Sequence, residues 1–310
     1  MPFTGLHDRY VNFYTDFAFK KLFGTDMNKE LLISFLNELL RGREDITDLT
    51  YLNVEHFGAN ASNRKAVFDV YCETQTGEKI LVEMQKAEQE YFIDRSIYYS
   101  TFPIQEQATK GKWDFNLKRV YTIGIVNFIF DEKGDEEYKH VVKLIEVDTK
   151  EVFFDKLTYI YLEMPKFRKT EDQLEDLFDK WLYAIKNLAT LMERPKALQE
   201  AVFERFFEQA EIAQFTPNEL YDYRESQKDF WDLYAVTTTA EKKGRIAGRA
   251  EGRAEGRAEG RAEGRAEGRA EAYAEIVKRQ LSNGMTLDDI AHLLNVDVEE
   301  IDKLVSKEQE

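Results

Sequence analysis

Asp69, Glu83 and Gln85 are the residues whose types and spacing could do chemistry together, an aspartate followed fourteen positions later by Glu-x-Gln. They lie in FDVYCETQTGEKILVEMQK, residues 68 to 86, which reads as two strands reversing at Gln75-Thr76-Gly77-Glu78. In the first strand Asp69, Tyr71 and Glu73 share one face, and Phe68, Val70 and Cys72 share the other. In the second, Leu81, Glu83 and Gln85 alternate with Ile80, Val82 and Met84. A two-residue Thr-Gly turn would put the polar sets on opposite faces, whereas a three-residue loop restores agreement. With residues 75–77 as the loop Asp69 faces Glu83, and with 76–78 it faces Gln85. Either register brings the Asp69 and Glu83 carboxylates close enough to share one divalent cation. A solvated acidic edge hairpin is the competing reading. The β-forming sequence around the acids, and their place between helices and a buried strand, argue for a central position in a sheet.

The elements that must hold this pair can be read on either side of it. TDFAFKKLFGTDMNKELLISFLNELLRG has helical spacing at Leu31, Leu32, Phe35, Leu36, Leu39 and Leu40, with Gly42 as a stop. Residues 46 to 55 read as a strand, and 91 to 111 as a helix that Pro103 should kink or split. RVYTIGIVNFIF is an apolar, β-branched run suited to a buried central strand, and YKHVVKLIEV and LTYIYLEMPKF add two more. The order, helix, three strands, helix, strand, predicts a mixed α/β layer fold. From about Thr170 the strand signal gives way to helix, read as an extension packed on the core. Residues 244–271 form a Gly-Arg-Ala-Glu tetrapeptide array.

On a helix that four-residue period turns about 400°, so each residue type makes a slowly drifting stripe. A small-residue seam between Arg and Glu stripes can pair with a copy of itself. One Gly in four costs about 1 kcal/mol each relative to Ala, however, and the i, i+4 neighbours carry like charge. Both a self-associating helix and a flexible spacer stay open; the first would span about 42 Å and the second about 30 Å. In the tail, Thr286 caps a helix with Asp289 in the capping-box position. The last helix carries Glu299, Glu300 and Asp302 where a DNA-reading helix needs Arg, Lys, Asn or Gln, so a protein-contact module is expected.

Composition narrows the rest. Of 310 residues, 43% are hydrophobic, enough for a sizeable core. The net charge of -16 argues against a generic polyanion binder, so any nucleic-acid function must rest on a local basic surface or on bound cations. Cys72 is the only cysteine, which fits a reducing cytosol. No apolar leader or membrane-length stretch occurs, so a cytoplasmic protein is expected. His7, His56, His140 and His292 are scattered without metal-ligand spacing. There is no phosphate-binding Gly-x-x-x-x-Gly-Lys loop and no nucleophile elbow.

An Asp on one strand and Glu-x-Gln on the next resembles the PD-(D/E)XK nuclease superfamily. TDFAFKKLFG, LLISFLNELL, DVYCETQTGEKILVEMQ and FIDRSIYYST, in that order, are similar to its recombination-promoting nuclease/transposase family over roughly residues 10 to 165. The resemblance implies a restriction-endonuclease-like αβββαβ core with a mixed sheet over 1–167. It would be followed by a helical extension (168–243), the repeat as helix or linker (244–271) and a small helical tail (272–310). It further implies Asp69 and Glu83 as ligands of Mg²⁺ or Mn²⁺, with the main-chain carbonyl after Glu83 as a third and Asp16 as an outer ligand or helix cap. Gln85 stands in the place of a lysine, able to orient water but without charge. Lys20, Arg95 and Tyr99 are candidate phosphate contacts. The expected activity is a cation-dependent DNA endonuclease linked to recombination or mobile elements, homodimeric through the repeat. The alternative is a DNA- or protein-binding scaffold that keeps the fold without the chemistry.

Overall fold

The computed structural model describes residues 8–56, 66–108, 114–130, 136–299 and 301. The chain divides into two units, residues 1–237 and 238–310.

In the first unit the helical opening is two helices, α1 (Asp16–Phe23) and α2 (Lys29–Leu39), joined by a short 3-10 turn. Gly24 ends α1 by donating its N–H to the Lys20 carbonyl. Thr15 is the N-cap of α1, accepting from Ala18 N at 3.3 Å, so Asp16 is a first-turn residue and not the cap. The strand expected over 46 to 55 is shorter: β1 is Leu49–Tyr51, and β2 (Glu55–His56) pairs separately with β3 (Ala66–Val67). Then come β4 (Val70–Thr74), β5 (Lys79–Gln85), α3 (Phe92–Glu106), β6 (Val120–Val126), β7 (Lys139–Ile145) and β8 (Val152–Glu163). Helices α4 (Leu177–Asn187) and α5 (Ala201–Ala210) follow, and then the start of α6 (Pro217–Ser282).

The sheet order is β1-β4-β5-β6-β8-β7. β1, β4 and β5 form an antiparallel meander, β5, β6 and β8 run parallel, and β7 returns antiparallel at the edge. Helix, three meander strands, crossover helix and parallel strand reproduce the αβββαβ order. One face, carrying Val70, Cys72, Ile80, Val82 and Met84, packs against α1, α2, α4 and α5. Trp181 anchors that layer, its ring 4.9 Å from Phe203 and 5.9 Å from Phe23. The α4–α5 extension thus shares the core of the sheet.

The other face is covered by α3. Pro103 does not split this helix, which runs on to Glu106 although the proline supplies no N–H of its own to the ladder. Ser96 and Ser100 bond to the Tyr161 and Tyr159 hydroxyls at 2.6 and 2.8 Å, fixing α3 to β8. Beneath the start of α3 lies Gly124 of β6. A Cβ there would come within 3.0 Å of the Tyr161 ring and 3.2 Å of the Phe92 ring, so the absent side chain admits the helix. Gly124→Ala is expected to cost about 1–3 kcal/mol through overpacking, seen as a lower Tm. An unchanged Tm would mean that Phe92 swings aside freely.

In the second unit all of residues 244–271 are helical, within α6. A Cβ added at any repeat glycine meets nothing within 4 Å. Thr286 caps α7 (Leu287–Leu294), with the reciprocal Asp289 bond of a capping box. Val277, Ile290, Ala291 and Ile301 make a small core. The acidic last helix lies mostly beyond the described residues. No helix among them is long and apolar enough to cross a membrane.

Candidate active site at the end of the hairpin

The hairpin register decides what meets what. Glu73 pairs with Lys79 and Val70 with Val82, which leaves residues 75–77 as the loop and places Asp69 opposite Glu83. Gly77 takes φ +93°, the left-handed residue that a three-residue loop requires. Thr74 and Glu78 close the turn, Thr74 N donating to Glu78 O at 3.0 Å.

The strand does not continue smoothly into Asp69. The backbone bends at Phe68–Asp69, between β3 and β4. Phe68, expected beside Val70 and Cys72, therefore joins Tyr71, Leu81 and Tyr99 on the α3 face. Strict alternation fails because the bend adds a turn of the backbone that sequence spacing does not show. The bend also frees Asp69 from the ladder. Its N–H donates to Glu83 Oε1 at 3.3 Å, and its Oδ2 accepts the Met84 N–H at 2.8 Å. Asp69 thus caps the end of β5, with its carboxylate near enough to that of Glu83 to repel it.

Glu83 and Gln85 are buried, and Asp69 is partly exposed. Burial pushes the Glu83 carboxyl well above the usual carboxylate range, and the neighbouring Asp69 charge adds to this. Asp69 is also raised, by burial first, against the Met84 N–H bond, with Asp16 adding repulsion. Lys20 and Arg95 act on both carboxylates in the opposite direction. Two raised, neighbouring carboxylates inside the sheet are the condition that a bound cation relieves.

The chemistry of the donors fits a hard divalent ion: oxygen ligands only, with room in the set for a main-chain carbonyl and water. Asp16 is half exposed and paired with Lys20 Nζ at 2.8 Å. Among the described residues no three His, Cys, Asp or Glu side chains converge as a cage. Any ion would be held chiefly by Asp69 and Glu83.

Gln85 and Arg95 form a unit that sequence spacing does not reveal. Arg95 Nη2 donates to Gln85 Oε1 at 2.6 Å, and Gln85 Nε2 donates to Ala87 O at 2.8 Å. Arg95 also bonds Gln89 and lies over the rings of Phe92 and Tyr99 at 5.4 and 5.9 Å. Gln85 thus spends its carbonyl and one amide hydrogen on the protein, and holds a guanidinium beside the acidic pair. Tyr99 packs on Phe68 at 5.1 Å and supports Arg95 from below.

A second buried charge group ends β8. Glu163, 1% exposed, binds His140 Nε2 at 2.6 Å, Lys166 Nζ at 3.1 Å and Phe130 N at 3.1 Å. In sheet register Gln85 is level with Val126 and Val126 with Glu163, so this group lies at the same end of the parallel strands as the acidic pair. The signal in the sequence was a lone acid closing the apolar run LTYIYLE.

A mixed six-stranded sheet flanked by helices, with an acidic pair where the meander meets the first parallel strand, is the α/β restriction-endonuclease-like fold. The family model for PD-(D/E)XK nuclease family transposases matches residues 13–240, and the chain belongs to that family. No curated protein and no solved structure matches it.

Proposed function

We propose that the protein is a divalent-cation-dependent DNA endonuclease acting at Asp69 and Glu83, with a role in recombination or mobile-element movement. The observation that carries this reading is the pairing of Asp69 with Glu83, its N–H on the Glu83 carboxylate and both carboxyls raised, inside the sheet of the family's core. Mg²⁺ or Mn²⁺ bound there would supply Lewis acidity at the scissile phosphate and a more acidic water. Arg95, held by Gln85, would set a fixed positive charge against the phosphate, and Lys20 would add a second. Against Asp16, Asp69 and Glu83 these two cations do not make a basic surface, so in a chain of net charge -16 the hold on DNA would rest on the bound metal ions. Incubation of purified protein with plasmid is expected to give cleavage with Mg²⁺ or Mn²⁺ and none with EDTA.

The alternative, a scaffold that binds DNA or protein without hydrolysis, draws on Gln85 in the lysine position and on Asp16 engaged by Lys20. DNA binding with no cleavage in either metal would decide for it.

The raised carboxylates also set a pH dependence that needs no substrate. Both are raised relative to the unfolded chain, so the folded state holds more protons in the window between the two sets of pKa values. Stability then falls as pH rises from the ordinary carboxylate range through the raised Glu83 value. Without metal, Tm is expected to fall across that window. Added Mg²⁺ should raise Tm more at the high end, where both groups are ionised. A flat profile, or a Mg²⁺ effect identical in Glu83→Gln, would remove the ion from this pair.

For the repeat we propose a contribution to homodimerisation, supported by its helical state and by glycines open on every turn. Deletion of residues 248–271 is expected to weaken self-association in light scattering, and unchanged association would leave the array as a spacer.

A further inference from the structure

β8 outruns its neighbour. Its pairing with β6 begins at Leu157, whereas β7 and β8 stay paired out to Ile145 and Val152. Residues 144–156 therefore form a two-stranded arm beyond the parallel sheet. The arm exposes Leu144, Ile145, Val147, Val152 and Phe153, the last at 79%. Val141 and Val142, just inside it, are also exposed. A ribbon of two strands is marginal in water without a further strand or a packed face. Clustered apolar exposure on this scale marks an interaction surface. Beside it, between α3 and β7, lies a cleft of about 600 Å³ walled by Ile93, Ile97, Val142, Leu144, Leu157 and Tyr159.

We infer that this edge binds a second copy of the chain, β7 against β7 in antiparallel register about a two-fold axis at Lys143, each arm lying beside the other's cleft. Three observations select that occupant. First, Val141-Val142-Lys143-Leu144-Ile145 reads alike in both directions. Pairing about Lys143 sets Val141 against Ile145, Val142 against Leu144 and His140 against Glu146. Second, residues 139–156 carry Lys139, Lys143, Lys150 and Lys156 against Glu146, Asp148, Glu151 and Asp155, a balanced set in a chain of net charge -16. Two acidic copies meet there without repulsion, whereas a polyanion gains little. Third, β7 closes the sheet order and has β8 as its only strand neighbour among the described residues. Lys143 and the irregular register at 143–145 discourage indiscriminate strand addition, and a closed two-fold pair uses the edge once. Asp155, held first by Arg119 at 3.0 Å, also attracts Lys143 of its own arm, a lesser pull set against the meeting of the two lysines at the axis.

The arrangement gives the proposed nuclease reading a geometry, and its consequence for cleavage rests on that reading. An axis normal to the sheet continues the strand order from one copy into the other, with the twist between strands turning the two α3 faces apart. Seven strand spacings would then separate the two β5 strands, about 33 Å, close to a helical turn of B-form DNA at about 34–36 Å.

The test uses the full-length protein carrying Lys143→Cys. Cys72 is buried, so the new thiol is the reactive one. Residues opposite one another across an antiparallel pair lie within disulfide reach. Mild oxidation is expected to convert most of the chain to a covalent dimer, and Lys150→Cys, at the arm's tip, to give at least tenfold less. Adding Val142→Glu to Lys143→Cys should lower the yield at least tenfold. Equal yields at 143 and 150, no dimer, or indifference to Val142→Glu would overturn the inference. So would maleimide labelling of Lys143→Cys that is slowed by single-stranded DNA but not by raising protein concentration. Repeating the cross-link in a Glu83→Gln background separates this result from the nuclease reading, since pairing does not need the acidic pair.

Discussion

Glu83→Gln is expected to lower DNA cleavage by roughly 10³-fold or more while leaving the protein folded. The amide keeps the size of the side chain and can still accept the Asp69 N–H through its oxygen. What it loses is the charge, which is the part a divalent ion and a developing phosphate charge need. Removing a carboxylate that burial and Asp69 already penalise should leave Tm unchanged or raised above neutral pH in metal-free buffer. The paired measurements are plasmid cleavage in Mg²⁺ and thermal unfolding in EDTA. A variant that cuts like the parent would move the site elsewhere on the sheet. One that fails to fold would show the carboxylate to be structural.

The second large effect concerns charge in place of the missing lysine. Arg95→Ala is expected to lower the cleavage rate about 10²-fold, the scale for losing one preorganised electrostatic group. The informative variant is the double one, Gln85→Lys with Arg95→Ala. If Arg95 acts by the charge it brings through Gln85, the new lysine should recover at least tenfold of the loss. If Arg95 merely ties α3 to β5, lysine makes no such tie and the double variant should be no better than the single. The 2.6 Å bond and the rings of Phe92 and Tyr99 around the guanidinium make position and charge inseparable in the parent; the pair of variants separates them.

The core order was legible in the sequence because its strands differ in kind. The alternation of LeuValGluMetGln marked a strand with one polar face, although the structure buries Glu83 and Gln85 on it, and the unbroken run of β6 marked one buried on both. Loop length and polarity together left two hairpin registers, and Gly77 at its left-handed position belongs to the one that pairs Asp69 with Glu83. Other features were not legible for stated reasons. The bend at Phe68–Asp69 is a backbone event, invisible to a two-residue period. Pro103 was given too much weight because the packing of α3 on β8, fixed by Ser96 and Ser100 on Tyr161 and Tyr159, outweighs one missing N–H. Arg95 was expected to contact phosphate alone, since nothing in the spacing of 85 and 95 says that a helix folds back over the strand it follows. The purpose of Gly124 appears only when Phe92 and Tyr161 close around it.

The open glycines of the tetrapeptide array carry a consequence for inheritance. Because a side chain at Gly244, Gly248, Gly252, Gly256, Gly260, Gly264 or Gly268 would touch nothing of its own chain, no contact within the chain fixes how many units the array must have. Gaining or losing one unit changes the helix by about 6 Å and about 40° of phase, and disturbs no core. Tandem units of identical sequence are also those that replication most readily miscounts. The number of units should therefore vary between closely related copies of this gene while the hairpin and its acids stay fixed. Sequencing the locus across sister lineages would measure that drift directly.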